Sequence, residues 1–235
     1  MLTSMNSFKS KVPYLRDVFL AYLIEGAERT DGDGYPIIPK QFCFDRFPTK
    51  IVQWDRRSLA KEPGKATMSF YCGDQYFQPV LSDPVRYVEK LKTYEAVVGM
   101  DCSPYDNMPL IVQRHQIWLN LAITYFFGAR GIEVLPNVRL GDAFTCDSLD
   151  AYPKGTIIAI GTNGFTKRLS NRQLFMEQVS KIVETLKPSG IAVYGPIDDS
   201  IFVLPRLMGI EIRSYDSFMH EKYVLSKKGG ADHER

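Results

Sequence analysis

From Thr67 onward, two hydrophobic patterns alternate along the chain. Short apolar or β-branched runs occupy residues 67–72, 94–100, 132–135, 156–160, 191–194 and 210–214. Between most of them lie stretches in which apolar positions fall three and four apart, the spacing of a helix with one buried face. Val85, Val88 and Leu91 mark a short helix after Asp83-Pro84, a cap followed by a proline at the first helical position. A second helix is predicted from Pro109 to Gly128, capped by Asp106 or Asn107 and apolar nearly all round. Ser170 with Gln173 reads as a capping box, opening a helix that carries Phe175, Val179, Ile182, Val183 and Leu186. A further short helix, interrupted by Pro205, is expected within 198–208.

The N-terminal part follows a different rhythm. Val12, Leu15, Val18, Phe19, Tyr22 and Leu23 predict an amphipathic helix over residues 11–29, stopped by the turn-forming run Thr30-Asp31-Gly32-Asp33-Gly34. Residues 35–55 mix prolines with β-formers, which predicts one or two short extended segments. The resulting organisation is an N-terminal helix and linker over 1–34, a single α/β domain over 35–225, and a polar, disordered tail over 226–235.

Strands that are apolar on both faces and separated by helices require a mostly parallel sheet with right-handed crossovers. An irregular or incomplete (β/α) barrel is favoured over an open doubly wound sheet, because polar clusters end nearly every strand. Either architecture gathers ligands at the carboxyl ends of the strands. Those ends carry Asp74, Asp101, Ser103, Asn137, Arg139, Thr162, Asn163 and Tyr194.

These residue types define the candidate chemistry. Asp101 follows directly on an apolar strand, where desolvation raises a carboxyl pKa and suits it to proton transfer; the alternative is a loop-bracing carboxylate. Asp101, Asp74 and Ser103 are the catalytic candidates. With Asp45 or Asp142, the two aspartates could also offer oxygens to a hard cation, although no metal is assigned. Ligand contacts are expected from Tyr105, Asn137, Arg139, Gly161, Thr162, Asn163 and Tyr194. Arg139 suits a phosphate or carboxylate, or an internal pair with Asp101 or Asp142. The run from Gly161 to Gly164, ahead of Lys167 and Arg168, offers amides and cations to an anion, but without P-loop or dinucleotide spacing it also reads as an ordinary turn. Cys102 sits near a helix start, yet no histidine falls at a strand end, so packing is its simpler role.

Composition narrows the setting without naming a reaction. The chain of 235 residues is 45% hydrophobic, enough for one sizeable core, and its net charge of +2 gives no strongly basic surface for duplex binding. Cys43, Cys72, Cys102 and Cys146 show no CxxC spacing, which predicts reduced thiols in a cytoplasmic protein. The apolar run 116–128 is too short to cross a bilayer, so no membrane role is expected.

Several segments in fixed order resemble one family. DCSPYDNMP (101–109), GIEVLPNVRLGD (131–142), AIGTNG (159–164), KPSGIAVYG (187–195) and the aromatic strand MSFYCGDQYF (68–77) are similar to segments of the DUF4417 family of bacterial and phage proteins. Asp101, Ser103, Tyr105, Met108 and Pro109 match its first motif. Cys102 stands where that family carries an aromatic residue, and Leu140 where it carries tryptophan. The resemblance implies a phage or mobile-element setting and no particular activity.

Three functions remain in play. One is an enzyme acting on a small phosphorylated or nucleotide-like ligand. Another is a non-catalytic nucleic-acid accessory protein using pairs such as Arg56-Arg57. The last is a protein-interaction module that meets its partner through residues 11–29. The cofactor is unknown.

Overall fold

In the computed structural model, the seven strands among the described residues all pair in parallel. The structure describes residue 17 and residues 20–162 and 169–216, the side chains of 169–171 excepted. Strands β1 (Ile51–Gln53), β2 (Thr67–Ser69), β3 (Ala96–Val98) and β4 (Val134–Leu135) pair in chain order. Strands β5 (Ile157–Gly161), β6 (Gly190–Tyr194) and β7 (Glu211–Tyr215) form a second sheet in the same sense. A parallel bridge between Asn137 and Ala159 joins the two. There the Ala159 amide donates to the Pro136 carbonyl at 2.7 Å, and the Val138 amide to the Ala159 carbonyl at 3.1 Å.

Alternation along the strands sorts the core into two layers. Met68, Val97, Val134, Ile158, Ile160, Ile191 and Val193 join the large cluster that also holds the helices. Their neighbours Ile51, Val98, Leu135, Ile157, Ala159, Ala192 and Tyr194 join Tyr71 in a smaller cluster drawn from β1 and β3–β6. Both faces are dry from β2 to β6, which is why those strands read as continuous apolar runs, while β7 at the edge is largely exposed. Among the described residues no backbone ladder joins β7 to β1, so the sheet does not close into a barrel. The gap is crossed by a side chain: Tyr215 Oη donates to the Pro48 carbonyl at 2.8 Å.

The helices are α1 (Asp74–Ser82), α2 (Val88–Leu91), α3 (Leu110–Gly128), α4 (Leu169–Leu186) and α5 (Val203–Leu207). Helix α3 has no internal proline and buries Ile117, Leu121, Ile123, Phe126 and Phe127, each worth about 2 kcal/mol of transfer free energy. It stops because Gly131 takes a left-handed φ of 80°, which lets the Ile132 amide donate back to the Phe127 carbonyl.

Four expectations are corrected. The helix predicted to Arg29 is, among described residues, only a 3-10 turn at Ala21–Ile24, because Leu20 and Gly26 adopt left-handed φ angles of 56° and 81°. Arg29 instead pairs antiparallel with Pro36, while Leu23 and Ile24 are buried in the main core and Tyr22 packs edge-on against Phe126. Residues 11–16, 18 and 19, and the predicted tail over 226–235, lie outside the described residues. No element was assigned to 75–82, yet α1 fills it and accommodates Pro79 inside the helix. Asp106 and Asn107 do not cap α3; Pro109 stands at that position, and the Gln113 side chain binds the Asp106 and Met108 carbonyls instead. Finally, α4 begins at Leu169, so Ser170 falls inside it rather than ahead of it.

Candidate functional site

The end of β3 delivers Asp101 to the floor of a cleft of about 470 Å³. Its carboxylate is held on one oxygen. Asn137 Nδ2 donates to Oδ1 at 2.9 Å, and Arg139 Nε lies 3.3 Å from the same atom. Asp101 also lines the cleft. Asn137 is itself fixed, since Tyr71 Oη donates to its Oδ1 at 2.9 Å and its Nδ2 also reaches the Met100 carbonyl. Tyr71 lies flat on Tyr194, with ring centroids 4.9 Å apart and planes 10° apart. Gly161 permits this stack, because a Cβ there would sit 2.8 Å from the Tyr71 ring.

Burial raises the Asp101 pKa above its usual value of 3.8, against the lowering effects of Arg139 and of the Asn137 hydrogen bond, and Asp74 adds a smaller upward push. Losing solvent therefore outweighs the adjacent guanidinium. The group holds its proton to higher pH than an exposed aspartate.

Asp74 opens α1, where its charge suits the helix N-terminus, and it faces the loop after β3. The Ser103 amide donates to one of its oxygens and Ser103 Oγ to the other, both at 3.2 Å. The loop is pinned from below as well. Asn120 on α3 accepts from the Cys102 amide at 2.7 Å and donates to the Cys102 carbonyl at 2.9 Å. Thr124, one turn on, donates to the Asn120 carbonyl and accepts from the Met100 amide. Cys102 itself is fully buried in the core, and burial raises its thiol pKa, so packing is its role. Cys72 lines the cleft with its thiol pushed up to about 12, again by burial.

The structure brings Asp74, Asp101, Ser103, Tyr105, Arg139 and Gly161 to the cleft wall. Tyr105 is exposed at the rim. Asn137 lies behind Asp101 rather than on the wall. Thr162 and Tyr194 are not brought to this cleft: Thr162 is buried with its hydroxyl on the Pro196 carbonyl, and Tyr194 is covered by Tyr71. Asn163, Gly164, Lys167 and Arg168 lie outside the described residues. The other carboxylates weighed as cation ligands point elsewhere, since Asp142 accepts from Gln113 and from the Phe144 amide, and exposed Asp45 sits beside Arg46. Among the described residues no group of three or more His, Cys, Asp or Glu side chains is placed to hold a metal. The described lining carries Asp74, Asp101 and Asp106 against Arg139, so this floor suits hydrogen-bond donors better than bare anions.

Gln113, Asn120, Thr124 and Gln178 also shape the site, although none of them stands at a strand end. Gln178 on α4 donates to the Gly141 carbonyl beside the cleft, and Gln113 exchanges two hydrogen bonds with Asp142, accepting from its amide at 2.7 Å. A signal was present. Gln113, Asn120 and Thr124 recur seven and four residues apart, a buried polar stripe on an otherwise apolar helix.

No described helix is long and apolar enough to cross a membrane, and all four cysteines are free. No solved structure matches the chain. It is similar to the Gene 1 protein of Mycobacterium phage L5, at 25% identity over 164 residues that span 68% of this chain and 71% of that protein. A family pattern described as a domain of unknown function matches residues 32–216, and on that extent the chain belongs to the DUF4417 family.

Proposed function

We propose that this phage-type protein is an enzyme that binds a small nucleotide-like or phosphorylated substrate in the strand-end cleft, with Asp101 exchanging a proton with it. The observation that carries the reading is Asp101 itself, a buried carboxylate at the floor of a cleft, fixed through one oxygen by Asn137 and Arg139. A group used only to brace a loop needs no cleft beside it. One that transfers protons needs restricted solvent, a shifted pKa and an accessible oxygen.

In this reading, sugar hydroxyls or ring amino groups face Asp101 and Asp74, and Tyr105 covers the entrance. The arc of chain-ordered strands is read as an incomplete (β/α) barrel, and a cytoplasmic setting accords with the free thiols.

The accessory nucleic-acid reading has less support. Arg57 stacks over Trp54 and donates to its carbonyl, and Arg56 pairs with Asp55 at 3.4 Å. A partner contact through residues 11–29 is weakened by burial of Leu23 and Ile24 in this chain's own core.

The test is mild purification of wild type and Asp101→Asn, followed by mass spectrometry of retained small molecules. Wild type should carry a nucleotide-like or phosphorylated compound that the variant loses while still unfolding cooperatively. Equal retention in both proteins would remove Asp101 from the ligand site.

A further inference from the structure

On the outer side of α3, away from Asp101, lies a second pocket of about 500 Å³. Tyr35, Arg114, Asp33, His115 and Trp118 line it, with Ile111 and Val112. Two of its polar atoms are buried without a partner, Tyr35 Oη and Arg114 Nε. Tyr35 is only 2% exposed. Buried donors left unpaired are uncommon in folded proteins and each carries a desolvation cost, so two lining one pocket point to an acceptor that completes them.

The surroundings restrict that acceptor. Arg114 Nη1 already pairs with Asp33 at 2.8 Å, and Nη2 with Asp147 at 3.4 Å and with the Phe144 carbonyl at 3.0 Å. The guanidinium charge is therefore opposed twice before any ligand arrives. Burial, then the Asp33 and Asp147 carboxylates, raise the Tyr35 pKa, and Asp33 lies near enough to draw the phenol proton without completing a full hydrogen bond. An incoming anion would meet those same carboxylates. A neutral carbonyl oxygen would not, and it accepts from both an Nε–H and a phenol. The rest of the wall is mostly apolar, formed by Ile111, Val112 and the half-buried Trp118 with the exposed His115 beside them, which suits a flat or aliphatic body.

We propose that this pocket is a second binding site, for an uncharged ring bearing a carbonyl acceptor, with Tyr35 and Arg114 as its donors and Trp118 as its wall. The chain has two tryptophans, Trp54 and Trp118, and Trp54 lies buried elsewhere, so the site reports on itself.

The experiment titrates the full chain with uracil, nicotinamide and benzamide, and with benzoate as the charged counterpart, following the two indole N–H signals by NMR. The expected result is a saturable shift of the Trp118 signal alone with at least one neutral ring, and weaker binding of benzoate. Tyr35→Phe, which removes one donor, should weaken that binding about tenfold. Arg114→Lys keeps the charge and removes the Nε–H, and it should act in the same direction, which covers the case of a poorly folded Tyr35 variant. The proposal is overturned if no neutral ring moves the Trp118 signal at millimolar concentration, if benzoate binds as well, or if both variants bind like wild type.

Discussion

Asn137 holds Asp101 and the strand that carries it with a single amide nitrogen, donating at 2.9 Å both to Asp101 Oδ1 and to the Met100 carbonyl. Its oxygen accepts from Tyr71 Oη, so one side chain links β3, β4 and the segment after β2. Asn137→Ala would leave a buried hydroxyl, a carbonyl and part of a carboxylate unpaired. The expected cost is about 3 kcal/mol in urea denaturation, and a loss below about 0.5 kcal/mol would mean that water replaces the amide.

The raised pKa of Asp101 gives a pH signature with a definite sign. The folded state keeps the Asp101 proton at pH values where the unfolded chain, near 3.8, has released it. The stability this group contributes is complete below 3.8 and declines as pH rises through the folded-state value. Asparagine does not titrate. The melting temperature of Asp101→Asn minus that of wild type should therefore rise across that window and level off above it. A difference that falls with rising pH would show that Arg139 outweighs burial.

Gly161 lies where the Tyr71 ring leaves no room for a side chain. Gly161→Ala should push the Tyr71–Tyr194 stack apart and destabilise the fold by about 1–3 kcal/mol in the same denaturation experiment. Unchanged stability would mean that the ring shifts freely.

The order of strands and helices was legible because both sheet faces are dry, which turns strands such as Ile157–Gly161 into uninterrupted apolar runs. Asp101 and Asp74 were legible as strand-end carboxylates for the same reason: the apolar run stops and a charge follows. What the periodicity did not carry was decided by contacts distant in sequence. Leu23 fits a helical pattern, but the left-handed backbone at Leu20 and Gly26 lets it reach the core from a turn instead. Tyr194 ends a strand and Thr162 follows one, as ligand residues do, yet stacking on Tyr71 and a bond to Pro196 turn them inward. Asn120 shows in the sequence only as part of a polar stripe, because its partner, the Cys102 backbone, has no signature in side-chain pattern.

Asn120 gives a prediction about access. It closes both backbone groups of Cys102, whose side chain is fully buried. Asn120→Ala should loosen the loop, so that iodoacetamide labels Cys102 many times faster by peptide mass spectrometry, while labelling of the half-buried Cys43 is unchanged. Continued protection of Cys102 would show that packing alone holds the loop.

Asp101 can play its proposed role only as a buried, proton-holding group at the cleft. Carbon-detected NMR titration of the aspartate carboxyls, with the Asp101 signal assigned by its absence in Asp101→Asn, measures this directly. The midpoint is predicted to lie above 3.8 and to move when the retained ligand occupies the cleft. A midpoint at or below 3.8 that ignores the ligand would make Asp101 an ordinary ion-pair partner of Arg139 and contradict the proposed role.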